Sequence, residues 1–190
     1  MKTLKLGYAL CGSHCTHAYA LAGMRELAKM GYSLIPIMST AARYTDTRFG
    51  RGEDIAREAE GICGRKIICT VADAEPLGPK EPLDALIISP CTGNTLAKIA
   101  SGITDTAVTM AAKAHLRQDR PLLIALATND AMSQNLENIS RLLSRKSVYF
   151  VPLKQDDPIA KPHSLVADFS RLHEALAAAI EGKQLRPLFV

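Results

Sequence analysis

The stretch from Asp84 to Met110, DALIISPCTGNTLAKIASGITDTAVTM, combines an apolar run, a short loop of small polar residues and the starts of two helices. The apolar run predicts a strand over 84–89, ended by Pro90, and its hydrophobicity is typical of a central strand covered on both faces. The start of a helix leaves backbone N–H groups without partners in the helix, and such groups attract anions. The stretch therefore predicts one wall of an anion site, with phosphate as the expected occupant.

Strands and helices alternate on both sides of this stretch, as expected for a doubly wound α/β domain. The apolar runs predict further strands over 5–11, 32–37, 66–71, 121–127 and 148–151. Residues at helical spacing predict helices over 16–30, from Ile55 to Ile62, from Leu96, from Thr104, from Met132 and over about 164–181. We expect one domain over 1–190, with the last helix capped by Ser164 and packed on the sheet.

The composition narrows the class of protein. With 190 residues and 47% hydrophobic residues, the chain is large enough for one full core. The formal net charge is +4, and the basic residues are scattered among acidic ones, which disfavours a nucleic-acid partner. The five cysteines contain no CxxC pair, so we expect a reduced cytoplasmic protein without a metal centre. The apolar run near Met1 is short and is followed by the charged residues Arg25, Glu26 and Lys29, so we expect neither a signal peptide nor a membrane span.

Small polar residues follow the predicted strands over 5–11, 32–37, 84–89 and 121–127 at their carboxyl ends, the edge where open α/β sheets bind ligands. Because no set of histidine, carboxylate and nucleophile stands out, we expect a cofactor to carry the reactive chemistry. The candidate cofactor-binding residues are Gly12, Ser13, His14, Ser39, Thr40, Thr92, Asn94, Thr95, Thr128 and Asn129.

Several of these features also fit a purely structural role. Ser13 suits a helix cap as well as a phosphate ligand, because neither GxGxxG nor a Walker pattern is present. Cys91 suits a small apolar residue better than a nucleophile, and the Asp156-Asp157 pair suits a solvated turn better than a metal site. Arginines 43, 48 and 51 suit either a solvated loop or the binding of a dicarboxylate or phosphate.

The run PCTGNTLAKIASGITD over 90–105 and the segment CGSHCT over 11–16 resemble a family of FMN-dependent proteins. That family includes phosphopantothenoylcysteine decarboxylase, peptidyl-cysteine decarboxylases and flavin prenyltransferases. The resemblance implies FMN as cofactor, with Ser13 in its first phosphate loop, Ser39-Thr40 in its second hydroxyl loop, and 129–138 in its asparagine-methionine segment.

A narrower resemblance rests on the strings TRFG at 47–50, AEPLGPK at 74–80, TDTAVTMAAKA at 104–114, TNDA at 128–131 and QDDP at 155–158. These strings are similar to those of the B subunits of dipicolinate synthase in spore-forming bacteria. The resemblance implies a flavodoxin-like, three-layer αβα fold. It also implies an oxidoreductase that forms pyridine-2,6-dicarboxylate from a cyclic dihydro- or tetrahydrodipicolinate in the cytoplasm of the sporulating mother cell. The expected partners are the A subunit, with NAD or NADP, and further copies of this chain in a trimer-based assembly.

One departure from the family pattern bears on the reaction. The family's decarboxylases carry a catalytic histidine before the central strand, whereas residues 72–84, ADAEPLGPKEPLD, contain none. This departure disfavours cysteine decarboxylation and favours oxidation of a dicarboxylate. We expect FMN phosphate on Ser13, Thr92 and Thr95, with Arg48 or Lys80 holding a substrate carboxylate and the catalytic acid or base unassigned. The alternatives are a flavin-dependent decarboxylase or prenyltransferase, or a non-catalytic subunit that stabilises a nicotinamide-dependent partner.

Overall fold

The computed structural model describes residues 3–190, and its centre is a seven-stranded sheet. Strands β1 to β5 pair in parallel in the order β2-β1-β3-β4-β5, while β7 pairs antiparallel with both β4 and β6. This is the flavodoxin-like strand order, so the predicted fold class is confirmed. The strands are β1 (Lys5–Leu10), β2 (Ser33–Met38), β3 (Ala85–Cys91), β4 (Leu122–Thr128), β5 (Val148–Phe150), β6 (Leu153–Lys154) and β7 (Leu165–Ala167).

The helices form two groups by their mutual contacts: α1 contacts α3 and α8, whereas α6 contacts α4 and α5, and α5 contacts α7. The buried side chains of the sheet and of both groups form one continuous apolar cluster. The helices are α1 (His17–Lys29), α2 (Thr40–Tyr44), α3 (Gly52–Cys63), α4 (Val71–Ala74), α5 (Gly93–Ser101), α6 (Ala107–Leu116), α7 (Leu136–Leu143) and α8 (Leu172–Ile180).

Strand β3 lies in the middle of the sheet, and all seven of its residues are buried. The prediction that Pro90 ends this strand is wrong, because the strand continues to Cys91. Proline lacks a backbone N–H, but its carbonyl still accepts a hydrogen bond, here from the N–H of Cys11 at 3.1 Å. The pairing with β4 shifts in register between Ile88 and Cys91, which accommodates the proline.

The predicted third strand over 66–71 is also wrong. Only Ile68 is paired, in an isolated bridge with Ile37. The chain turns immediately afterwards, because the Thr70 side chain accepts a hydrogen bond from the N–H of Asp73 and caps α4. A cap at this position stops the extended segment before it can form a ladder.

The predicted helix over about 164–181 is shorter than expected. Residues 165–167 form β7 instead, and α8 begins only at Leu172. Ser164 does not cap a helix, because its hydroxyl donates to the carbonyl of Thr128 at 3.2 Å. The helix predicted from Met132 likewise begins later, at Leu136, after a series of turns. Among the helices of residues 3–190, none has the length and apolar character needed to cross a membrane.

A buried histidine on α6 makes stability depend on pH. His115 is fully buried, and its Nε2 lies 2.8 Å from the carbonyl oxygen of Pro121. Burial lowers the pKa of this imidazole to about 4, from an ordinary value of 6.5. Between pH 6.5 and about 4, His115 is therefore protonated in the unfolded chain but neutral in the folded protein, and this difference favours unfolding.

We predict that wild type loses up to about 3 kcal/mol of unfolding free energy relative to His115→Gln between pH 6.5 and 4. The measurement is urea unfolding of both proteins across this pH range. His173→Gln, at an exposed position on α8, controls for the loss of an imidazole in general. Parallel pH curves for wild type and His115→Gln would contradict this prediction.

Candidate functional site

An open cleft of about 560 Å³ lies at the carboxyl edge of the sheet, a size typical of small-molecule sites. Its walls come from the loops after β1, β3 and β4, from the loop around Arg48, and from the segment before β7. The loops after β1 and β3 lie side by side because these two strands are neighbours, although their helices lie on opposite faces. Such a switch in topology opens a crevice.

The loop after β1 contributes Gly12, Ser13 and His14 to the cleft. One of the two roles considered for Ser13, that of a helix cap, is not observed, since its side chain makes no capping bond. Its carbonyl instead accepts from the N–H and the hydroxyl of Thr16, at 3.1 and 2.9 Å, which fixes the turn. Ser13 lines the cleft, and its hydroxyl, which caps no helix, is available to a ligand.

The wall after β3 is the first turn of α5, but its hydroxyls are used differently from the prediction. Thr92 is the N-cap: its Oγ1 accepts from the N–H of Thr95 at 3.2 Å and donates to Thr95 Oγ1 at 3.1 Å. Thr95 is buried and does not line the cleft, whereas Thr92, Gly93 and Asn94 do. The groups that α5 offers to a ligand are its first N–H groups and the Asn94 side chain.

The third wall is built by a chain of side-chain hydrogen bonds after β4. Asp130 Oδ1 accepts from Thr128 Oγ1 at 2.5 Å and from Asn135 Nδ2 at 2.9 Å, and Asn138 Nδ2 donates to Asn135 Oδ1 at 3.0 Å. Burial opposes ionisation of Asp130, but the two hydrogen bonds hold the pKa of its carboxyl below the ordinary value. We call these four residues the Asp130 chain.

Gly93 allows α5 to lie directly against the Asp130 chain. A Cβ at this position would lie 2.5 Å from both Thr128 Oγ1 and Asn135 Nδ2, and 2.9 Å from Asp130 Oδ1. These distances are shorter than any ordinary contact, so a larger residue would push the two walls apart. The glycine thus sets the position of Thr128, which lines the cleft, relative to the start of α5.

Of the three arginines in the polar loop, one lies at the cleft. Arg43 pairs with Glu53 and Arg51 lies 3.9 Å from Asp54, whereas Arg48 has no carboxylate within 4.0 Å in residues 3–190. The Arg48 guanidinium lies 4.8 Å from the centre of the Phe49 ring. Its loop is closed by two backbone hydrogen bonds between Thr47 and Gly50.

A second cation lines the cleft from the segment between β6 and β7. The ammonium of Lys161 pairs with Asp156 at 2.7 Å, and both side chains line the cleft. The sequence predicts only a solvated turn here. The loop reaches the site because β7 pairs with the end of β4, placing Leu165 opposite Thr128.

The other predicted residues are distributed differently. Asn129 lines the cleft, whereas Ser39 and Thr40 lie beyond it at the end of β2, where the Ser39 hydroxyl accepts from the N–H of Ala42 as the cap of α2. Lys80 is not brought to the cleft. Its neighbour Glu81 pairs with Lys5 at the start of β1, so Lys80 belongs to the opposite, amino-terminal edge of the sheet.

Sequence reasoning also missed the roles of Asp130, Asn135 and Lys161. Asp130 precedes the helix predicted from Met132 and Asn135 falls within it, whereas their contact requires the turns that the structure shows. The buried thiols are unsuited to nucleophilic chemistry, since burial raises the pKa of Cys11 to about 11 and the pKa of Cys91 well above its ordinary value.

Comparisons with known proteins agree with this architecture. The B subunit of dipicolinate synthase from Bacillus subtilis is 40% identical over 190 residues, covering 100% of this chain and 95% of that protein. The crystal structure of the corresponding B subunit from Bacillus halodurans C has a TM-score of 0.90 at 40% identity, covering 98% of this chain and 96% of that one. A dodecameric FMN-dependent Ubix-like decarboxylase from Escherichia coli O157:H7 has a TM-score of 0.66 at 26% identity, covering 78% of this chain and 80% of that one.

The sequence profile of a family described as Flavoprotein matches residues 1–176, most of the chain. The same carboxyl-edge cleft, built by the loops after β1, β3 and β4, lies within the matched region. On this match and on the full-length similarity to the B subunits of dipicolinate synthases, the chain belongs to the Flavoprotein family.

Proposed function

We propose that this chain is the FMN-binding B subunit of a dipicolinate synthase, which oxidises a cyclic dihydropyridine-2,6-dicarboxylate to pyridine-2,6-dicarboxylate. The observation that carries the proposal is a cleft with anion-binding backbone at one wall and, at another, an arginine that has no carboxylate partner among residues 3–190. The full-length 40% identity to the B subunit of a dipicolinate synthase supports the choice of substrate.

The residues of the cleft fit FMN. The Ser13 hydroxyl and the first N–H groups of α5 are donors suited to a phosphate, and Gly93 permits the close approach of two walls. The volume of about 560 Å³ accommodates a ligand of this class. When bound, FMN would supply a two-electron acceptor. The chain itself supplies binding, orientation and electrostatics.

The two cations are proposed to hold the two carboxylates of the substrate. Arg48 is suited to one of them, because a guanidinium binds a carboxylate through two parallel N–H groups. Lys161 takes the place proposed from the sequence for Lys80, and it binds the second carboxylate as a point charge. Since Lys161 already pairs with Asp156, substrate binding exchanges one carboxylate partner for another.

The oxidation removes two electrons and two protons from the dihydropyridine ring and makes it aromatic. Aromatisation favours the product, so the protein mainly has to hold the ring in the reactive orientation. The two electrons must then leave this chain for the cycle to repeat. We assign this step to NAD or NADP on the A subunit, in a trimer-based assembly in the cytoplasm of the sporulating mother cell.

Cofactor binding at the Ser13 end of the cleft can be measured directly. Purified protein is expected to bind FMN with a visible absorption spectrum that differs from that of free FMN. Ser13→Ala is expected to weaken binding about tenfold, because it removes a hydrogen bond to a charged group. Ser140→Ala, at an exposed position on α7, is the matched control. A colourless protein that takes up no FMN on reconstitution contradicts the proposal.

Assays of this protein alone and with the A subunit, each with and without FMN, distinguish the alternative functions. Flavin-dependent release of carbon dioxide or formation of a prenylated flavin would identify a decarboxylase or prenyltransferase. Full activity of the reconstituted complex without flavin would identify a stabilising subunit. Pyridine-2,6-dicarboxylate formed only with FMN supports the proposal.

Substrate recognition by Arg48 and Lys161 can be separated by ligand and by variant. Arg48→Gln and Lys161→Gln are each expected to weaken binding of pyridine-2,6-dicarboxylate by roughly tenfold or more, as expected for a lost hydrogen bond between charged groups. Pyridine-2-carboxylate, with one carboxylate, is expected to respond to only one of the two variants. Isothermal titration calorimetry measures both ligands.

The matched controls are Arg51→Gln and Lys154→Gln. In wild type, Arg51 lies in the same loop but beside Asp54, and the ammonium of Lys154 lies 3.7 Å from the Asp168 carboxylate. Both are expected to bind like wild type. If Arg51→Gln weakens binding as much as Arg48→Gln does, the ligand is attracted by the overall positive charge of the loop, and the assignment of Arg48 to a carboxylate is wrong.

A further inference from the structure

The Asp130 chain fixes the direction of one hydroxyl in the cleft. Thr128 Oγ1 donates its only proton to Asp130 Oδ1 at 2.5 Å, and the acceptor is held from behind by Asn135 at 2.9 Å. Asn135 is 5% exposed and is itself held by Asn138. A hydroxyl whose proton is committed in this way has only its lone pairs left for a ligand.

The backbone of Thr128 is held as firmly as its side chain. Its carbonyl accepts from the Ser164 hydroxyl at 3.2 Å, and Thr128 pairs with Leu165 of β7. Gly93 lies against the side chain from the other side, where even a Cβ would lie 2.5 Å from Oγ1. The hydroxyl therefore has little freedom to turn toward a different partner.

This arrangement makes the two ends of the cleft differ in the hydrogen bonds they offer to a ligand. A phosphate oxygen beside Thr128 would face a lone pair of the Thr128 hydroxyl, with the negative charge of the Asp130 carboxylate close by, and both are unfavourable for an anion. An N–H or O–H group of a ligand would find an acceptor in a fixed place. The donors suited to an anion lie elsewhere, at Ser13 and at the start of α5.

We propose that Asp130 is a positioning residue that makes Thr128 an obligate hydrogen-bond acceptor, and that the ring of the bound flavin donates to Thr128 while its phosphate lies toward Ser13. This inference rests on the proposed flavin function. It assigns an orientation to the ligand and a role to Asp130 without requiring that Asp130 touch the ligand.

The test compares the dissociation constants of FMN and riboflavin, which share the ring but differ in the phosphate, by quenching of flavin fluorescence. Thr128→Val is expected to weaken the binding of both flavins by the same factor, about fivefold, which is the effect of losing one neutral hydrogen bond. Asp130→Ala is expected to weaken both in the same way. Ser13→Ala serves as the reference for the phosphate end, and it is expected to weaken the binding of FMN but not that of riboflavin.

A double-mutant cycle distinguishes positioning from a separate structural role. Because Asp130 acts through Thr128, adding Asp130→Ala to Thr128→Val is expected to change affinity by less than about twofold. Asp130→Asn keeps an oxygen that accepts both hydrogen bonds, so its affinity is expected to stay within about twofold of wild type. Thermal unfolding of each variant shows whether it is folded.

The inference is overturned if the effects of Thr128→Val and Asp130→Ala multiply, if either change weakens FMN more than riboflavin, or if neither changes affinity. In those cases wild type still binds flavin and the proposed function stands. A wild-type protein that binds neither flavin overturns the proposed function, and this inference with it.

Discussion

The parallel pairing of β1 with β3 is the constraint on which the rest of the structure depends. All seven residues of β3 are buried, and its backbone polar groups must find partners in neighbouring strands because water does not reach them. The pairing extends to the last residues, where the carbonyl of Pro90 accepts from Cys11. The loops that follow these two strands are thereby held next to each other, and they form the cleft.

The hydroxyls around the cleft are used differently. That of Thr92 caps a helix, and that of Thr128 is committed to Asp130, whereas that of Ser13 makes no capping bond. A hydroxyl that caps a helix fixes the backbone around a ligand, while a free one can bind the ligand itself. The structure therefore makes the residues at the rim unequal, although they look alike in sequence.

The charges of the cleft follow the same logic. Three arginines lie in one polar loop, yet neighbouring carboxylates neutralise two of them, and the third lies at the cleft. Lys161 joins Arg48 there because the antiparallel pairing of β7 with β4 brings its loop over the carboxyl edge. A dicarboxylate substrate would meet one cation from each of two segments that are more than 100 residues apart in the sequence.

The sequence by itself determined the α/β class, the central position of β3 and the edge of the sheet at which the cleft lies, because these follow from hydrophobic patterns along single segments. Eight of the residues predicted from the sequence to bind a ligand line the cleft at that edge: Gly12, Ser13, His14, Arg48, Thr92, Asn94, Thr128 and Asn129. Only the tertiary structure decided the extent of β3 beyond Pro90, the replacement of a helix by β7, the displacement of Lys80 to the opposite edge and the contact of Asp130 with Thr128. These features depend on partners from distant parts of the chain, and no local pattern of residues records which partner a hydroxyl, a carboxylate or a strand edge will meet.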